Sequence, residues 1–292
     1  MNWHDLRAFV AVAEQQSFSK AAGQLHISQP AVSKRIQALE SELAAKLFDR
    51  VGKRIYLTDA GALLRPRAVS MLQEMTDTQR LLRNLKSEVG GVLRLATSHH
   101  VGLHRLAPAL KSFTQRYPDV RLDIRFEDSE AAHELVRRAN SELAVVTLDP
   151  NGDVELEYQT LWDDPLCFVV AADHPLAAVA QTTLNDLANH PVIMPGLATY
   201  TGRIVAEVFS DASIALDPAM STNYLETISM LVGTGLGWSV LPASMVADGL
   251  VKLTTNAPPL HRTLGCVTHP ARTLSNAARA FQEVTLEFRD AD

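Results

Sequence analysis

Two cysteines in 292 residues, Cys167 and Cys266, exclude a disulfide-stapled scaffold. Each sits inside an apolar run, Leu166-Cys167-Phe168-Val169 and Gly265-Cys266-Val267. A buried, reduced thiol is expected there rather than a regulatory disulfide, because neither run offers the exposed, electropositive setting that reactive thiolates need. No run of 18 apolar residues and no low-complexity tract occurs, so no membrane span is expected. The opening Met1-Asn2-Trp3-His4-Asp5-Leu6 enters an amphipathic pattern at once, without the basic, apolar and small-residue segments of an export signal, and a cytoplasmic protein is expected. Catalytic signatures are missing as well. There is no Gly-x-Ser-x-Gly elbow, no HExxH and no strong carboxylate pair, so an enzyme is not expected. Gly233-Thr234-Gly235-Leu236-Gly237 follows a helical pattern and leads into a strand, the reverse of a nucleotide-binding order. His100 and His104 stand four apart, but no third ligand lies near them in sequence, and neither a metal nor another cofactor is expected.

What is present divides unevenly. The length suits two or three domains, and a composition of 47% hydrophobic and 21% charged residues is that of an ordinary globular chain. The net charge of −6 splits into +4 for residues 1–88 (13 Lys+Arg, 9 Asp+Glu) and −10 for residues 89–292 (14 and 24). A basic head on an acidic body points to a module that faces nucleic acid, carried on one that phosphate does not attract.

In the head, Leu6, Phe9, Val10, Val12 and Ala13 recur at helical spacing, and Ser17 or Ser19 caps a short second helix through Ala21, Ala22 and Leu25. Ser28 caps a third, with Pro30 in its first turn and Val32, Ile36, Leu39, Leu43 and Leu47 as its apolar stripe. Its polar side offers Gln29, Ser33, Lys34, Arg35 and Gln37, the amide, hydroxyl and cationic groups that read base edges or hold phosphates. Arg50, Lys53 and Arg54 then surround Gly52 in a segment suited to a basic β-hairpin.

These pieces, in the order Ser17-Phe18-Ser19-Lys20-Ala21-Ala22, Leu25 to Ile36, Leu39-Glu40, Leu43, Leu47-Phe48-Asp49-Arg50 and Leu57-Thr58-Asp59-Ala60-Gly61, resemble the LysR-type transcriptional regulator family over about 45 residues. The resemblance implies a winged helix-turn-helix DNA-binding domain over residues 1–58. The helix from Ser28 would enter the major groove with Gln29, Pro30, Ser33 and Lys34 near the bases, and Arg54 would approach the flanking minor groove.

From Thr58 a helix is expected to about Glu88. Leu64, Ala68, Met71, Met75, Leu82, Leu85 and Val89, with Thr78 filling one polar place, follow alternating steps of four and three, the pattern of a coiled-coil seam. At about 30 residues it would be roughly 45 Å long, too long for the head to cover, so residues 59–89 read as a linker that pairs two chains. Pro66 should kink it. The resemblance implies a homodimer reading a dyad-symmetric site in double-stranded DNA, with assembly to a homotetramer and contact with RNA polymerase as further expectations.

After Gly90-Gly91, strand and helix patterns alternate, which argues for an α/β body with a parallel sheet and a ligand site beyond the strand ends. Val92-Leu93-Arg94-Leu95, Phe113, Tyr117-Pro118, Asp173-His174-Pro175-Leu176 and Gly235-Leu236-Gly237 resemble the LysR effector domain, two-lobed like a periplasmic binding protein. The implied lobes are residues 90–162 with 263–292, and residues 163–262, joined by crossovers near 160–163 and 259–263. On that resemblance a small-molecule co-inducer or co-repressor, an acid or anion, meets Thr97, Ser98, His99, Asp128 and Thr147 from the first lobe. From the second it meets Thr199, Tyr200, Thr201 and Thr222, and the charge of Arg203 makes it a candidate anchor for an anionic group. Hydroxyls and N–H groups at helix starts suit such an anion. A transport-type solute-binding protein would explain the body alone, but it has no use for the Ser28-Gln29-Pro30 helix.

Overall fold

The computed structural model describes residues 2–51, 54–84 and 88–290, with backbone only at 50, 51, 73, 80, 81, 83 and 84. The chain forms two compact units, residues 1–85 and 86–292.

The first unit opens with three helices, α1 (Trp3–Gln15), α2 (Phe18–Leu25) and α3 (Gln29–Leu43). Each is capped at its start by a side chain, Asn2, Ser17 or Ser28, that accepts a hydrogen bond from a first-turn N–H. Gln16 and His26 take left-handed backbone conformations that turn the chain sharply into the next segment. Leu6, Phe9, Val12, Phe18, Ala21, Val32, Ile36, Leu39 and Leu47 close into one core. Leu43 does not join it and remains exposed, because the helix ends at that residue and Ala44 turns away. The antiparallel ribbon of β1 (Phe48–Val51) and β2 (Arg54–Leu57) is pinned to this core by the Phe48 ring, 5.3 Å from Phe9 and 6.1 Å from Phe18. Glu40 ties the turn before β1, accepting from the Leu47 N–H at 2.8 Å and from Lys46 Nζ at 3.0 Å. Burial opposes its ionisation, yet these donors hold its pKa below the ordinary value.

Helix α4 (Asp59–Asn84) starts under a Thr58 cap and runs on past Pro66. Its expected seam divides. Leu64, Ala68 and Leu72 pack into the core of the head itself, whereas Met71, Met75 and Leu82 stay exposed at 44%, 44% and 61%. The first turns of α4 lie against α1, so the head uses that part of the stripe and only the later part is free. Leu85 falls outside the described residues. Val89 is not helical: it packs, half-buried, on the core of the second unit.

In the second unit, β3 (Gly91–Thr97) leads through the short α5 (His99–Val101) and a π-helical turn (Gly102–Leu106) into α6 (Ala107–Arg116). Then come β4 (Val120–Phe126), α7 (Ser129–Arg137) and β5 (Leu143–Thr147), with β4 and β5 flanking β3 in parallel. The 15-residue β6 (Glu157–Ala171) carries the chain into a second lobe. That lobe holds α8 (Leu184–Ala188), β7 (Val192–Met194), α9 (Tyr200–Asp211), β8 (Pro218–Ser221), α10 (Leu225–Gly233), β9 (Ser239–Pro242) and β10 (Leu250–Lys252). Strand β11 (Leu260–Thr268) returns to the first lobe, which α11 (Asn276–Leu286) completes.

Sequence reading places strands at 166–171 and 263–267 with connectors between lobes. Instead β6 and β11 run as paired strands straight through both crossovers, with Leu260 opposite Leu166, Arg262 opposite Asp164 and Thr268 opposite Glu157. Their mutual pairing satisfies the backbone groups there, which removes the need for a loop. The first lobe's main core gathers Leu93, Leu95, Phe113, Leu143 and Phe281, and the second lobe's gathers Phe168, Val170, Phe209 and Trp238. Cys167 and Cys266 are both buried and free, and burial pushes the Cys266 thiol up to about 12.

Candidate functional site

Two surfaces concentrate the candidate residues. On α3, the buried stripe Val32, Ile36 and Leu39 faces the core. At helical spacing Pro30, Ser33, Lys34 and Gln37 fall together on the opposite side, with Gln29 at its edge. Ser28, Gln29, Pro30, Lys34 and Gln37 are exposed and Ser33 is half-exposed. Arg35 departs from the group: its position lies on the other flank of the helix, half-buried. Arg54 is exposed on β2 beside the ribbon tip and Arg50 lies in β1, while Lys53 falls outside the described residues.

The second surface is a cavity of about 50 Å³ between the two lobes of the second unit. Ser98, His99, His100, Asp128, Ser129, Glu130 and Thr147 line it from the first lobe, and Pro195, Thr199, Tyr200, Thr201, Asn223 and Leu225 from the second, with Arg262 from the crossover. Seven of the ten residues expected at a ligand site are thus brought together. Thr97 is not among them: it is fully buried beneath the cavity, and its hydroxyl donates to the Val145 carbonyl at 2.7 Å. Arg203 lies outside, its guanidinium 4.8 Å from the Tyr200 ring centre. Thr222 is outside too, its hydroxyl accepting from the Tyr224 N–H.

The cavity is already latched by polar contacts across the lobes. Asn223 Nδ2 donates to Asp128 at 2.7 Å, and the Tyr200 N–H at the start of α9 donates to the Glu130 carboxylate. The His99 and Tyr224 rings meet edge to face at 4.8 Å. Burial, with Asp128 alongside, raises the Glu130 pKa above its ordinary value despite the Tyr200 donor. Beneath, Arg262 donates from Nε to Asp164 at 2.8 Å and from Nη1 to the Thr201 hydroxyl at 3.0 Å. Both members of that ion pair are buried, at 6% and 1% exposure. His133 packs behind α9, 5.2 Å from the Tyr200 ring centre and 5.5 Å from that of Tyr158. Its burial lowers its pKa, and burial also drives the Tyr158 hydroxyl up to about 12.

Sequence reading does not find Glu130, Asn223 or Arg262. A faint signal existed for Glu130, an acid beside a helix cap, but its partner lies 70 residues away. Nothing local marks Arg262, whose carboxylate partner is 98 residues distant.

Comparison with known proteins identifies the domains that carry these surfaces. Residues 3–62 match the model of the bacterial regulatory helix-turn-helix protein, lysR family, and residues 86–289 match the LysR substrate binding domain. The chain is similar to the RuBisCO operon transcriptional regulator of Allochromatium vinosum, 31% identical over 96% of this chain and 94% of that protein. Over 37% of its length, and 75% of the relative's, it is 56% identical to a helix-turn-helix regulator encoded between ibpB and leuC in Azotobacter vinelandii. Its fold is like that of a full-length OxyR variant from Pseudomonas aeruginosa, with a TM-score of 0.69 at 24% identity, covering 99% of this chain and 97% of that one. The N-terminal unit and the two-lobed unit are therefore the helix-turn-helix and effector-binding domains of a DNA-binding transcription regulator, and the chain belongs to the LysR family.

Proposed function

We propose that the chain regulates transcription as a cytoplasmic homodimer that assembles further into a homotetramer, and that its role is regulation rather than catalysis. In this reading Gln29, Pro30, Ser33, Lys34 and Gln37 face the bases of a dyad-symmetric DNA site, Ser28, Arg35, Arg50 and Lys53 hold phosphates, and Arg54 reaches the minor groove. The exposed Met71, Met75 and Leu82 on α4 favour a second copy as the cover for that stretch.

The effector is a small acid in the interlobe cavity. One observation carries this: the start of α9 already holds a carboxylate, that of Glu130, on the Tyr200 N–H. Helix starts favour anions through their free N–H groups and dipole. An incoming carboxylate competes with Glu130 for that place, and because Asp128 and Glu130 share the cavity, a third negative charge enters only as Glu130 swings out. Displacement breaks one interlobe latch and strains the Asp128–Asn223 contact beside it, shifting the balance of lobe arrangements by the difference in affinity for them. Through the paired linker helices this alters DNA bending and RNA polymerase contact.

Calorimetry with a panel of small carboxylic acids tests the proposal. At least one acid should bind one per chain, and Glu130→Ala, which removes the internal competitor, should bind it at least about fivefold more tightly. Unchanged or weaker binding by the variant would remove Glu130 from this role, and no binding by any acid would overturn the ligand class.

A further inference from the structure

Among the described residues, one set of three metal-ligating side chains has donor atoms all within 4.8 Å of one another: His100, His104 and Glu226. The third member lies 122 residues beyond His104, on α10 of the other lobe. That is why the two histidines look unaccompanied in the sequence. His104 Nε2 is 3.1 Å from Glu226 Oε1, and His100 Nδ1 is 3.9 Å from the same oxygen. The two imidazole rings stand 4.8 Å apart, centre to centre.

His100 is the second observation. It is 5% exposed, yet neither ring nitrogen has a hydrogen-bond partner. A buried polar group left unsatisfied is costly unless something binds it. Helix geometry presents the pair. His104 lies in the π-helical turn that follows α5, and such wide turns, costly to keep, concentrate where function needs them.

We propose that His100, His104 and Glu226 form an interlobe site for a divalent transition ion of the zinc type. Two imidazoles and one carboxylate with a fourth position open is a donor set that suits such ions. Donor atoms about 2.0–2.1 Å from a tetrahedral ion lie roughly 3.3 Å from each other, so side chains now within 4.8 Å close up by small rotations as the lobes draw together. If His100 ligates through Nδ1, its Nε2 turns to Asp164, 3.9 Å away. A carboxylate behind a ligating histidine orients the ring and strengthens it as a donor.

Charge is the objection to meet, because Arg262 and Arg105 stand close by. Asp164 neutralises the first at 2.8 Å, and Asp164 and Asp290 share the second at 3.5 and 3.8 Å, leaving the Glu226 carboxylate for the ion. Because the ligands come from both lobes, the ion fastens them together. His100 also lines the effector cavity, so ion and effector share a wall. The site does not depend on the effector being an acid.

The test uses the untagged full chain, stripped with a chelator and titrated with Zn2+ against a chromophoric competitor. One ion per chain should bind, and both His104→Ala and Glu226→Gln should weaken it at least tenfold. Both side chains are partly exposed, so neither change threatens folding. Zn2+ should raise the Tm of the wild type but not of Glu226→Gln, as a fastening between lobes requires. No binding by the wild type, or binding that either variant leaves unchanged, would overturn the site.

Discussion

Arg262 and Asp164 pair, both buried, in the ribbon that joins the lobes. Removing one partner strands a charge, so Asp164→Asn or Arg262→Ala should cost about 3–5 kcal/mol in urea denaturation. The double change Asp164→Leu with Arg262→Met should recover much of that loss, and equal losses in single and double variants would show that the pair is not what the site rewards. Ser33 offers a milder test at the same scale. Its hydroxyl lies on the α3 face away from the core, so Ser33→Ala should weaken specific DNA binding about tenfold and non-specific binding little. Equal losses in both would take it out of base readout. These two residues also mark the limit of legibility. Ser33 can be assigned from the sequence because helical spacing and a local pattern surround it. Arg262 cannot, since burial made by a strand 98 residues away leaves no trace near it.

Caps and periodicity made the elements of the head readable, since Ser17 and Ser28 act within one turn of where they stand. Linker helix α4 was half readable. Its apolar spacing announces a stripe but not which half the head covers, and that division follows from α1 packing against its first turns. Gly61 lies there with the Leu47 carbonyl 2.2 Å from where a Cβ would sit, so Gly61→Ala should force α4 off the ribbon and lower the Tm of the head by several degrees, by about 1–3 kcal/mol. Helix α7 contributes a share of the pH dependence. Its buried His133 has a pKa below the ordinary 6.5. The unfolded chain therefore takes up the proton first, and this contribution to stability is complete above about 6.5 and lost as pH falls below it. His133→Phe should narrow the gap between urea midpoints at pH 8 and pH 5, and an unchanged gap would assign that acid sensitivity elsewhere.

For the whole molecule, the division of charge sets how DNA is bound. A +4 head and linker on a −10 body concentrates phosphate attraction in one place. Paired as proposed, two heads should lose at least about a hundredfold in operator affinity between 50 and 200 mM salt, measured by fluorescence anisotropy. A flat salt dependence would contradict a phosphate-anchored head. The βαβ order was legible because each strand and helix carries its own period, whereas the two-lobed plan came only from the resemblance to the LysR effector domain. The crossing strands were not, since their pairing is settled by what returns from the far lobe. That return has a consequence for synthesis. Strand β11 inserts between β5 and β6 of the first sheet, so a growing chain exposes two unpaired strand edges until β11 itself leaves the ribosome. Over that interval the nascent first lobe is the part open to mispairing and most in need of a chaperone, and a product truncated before Leu260 would hold those edges open for good.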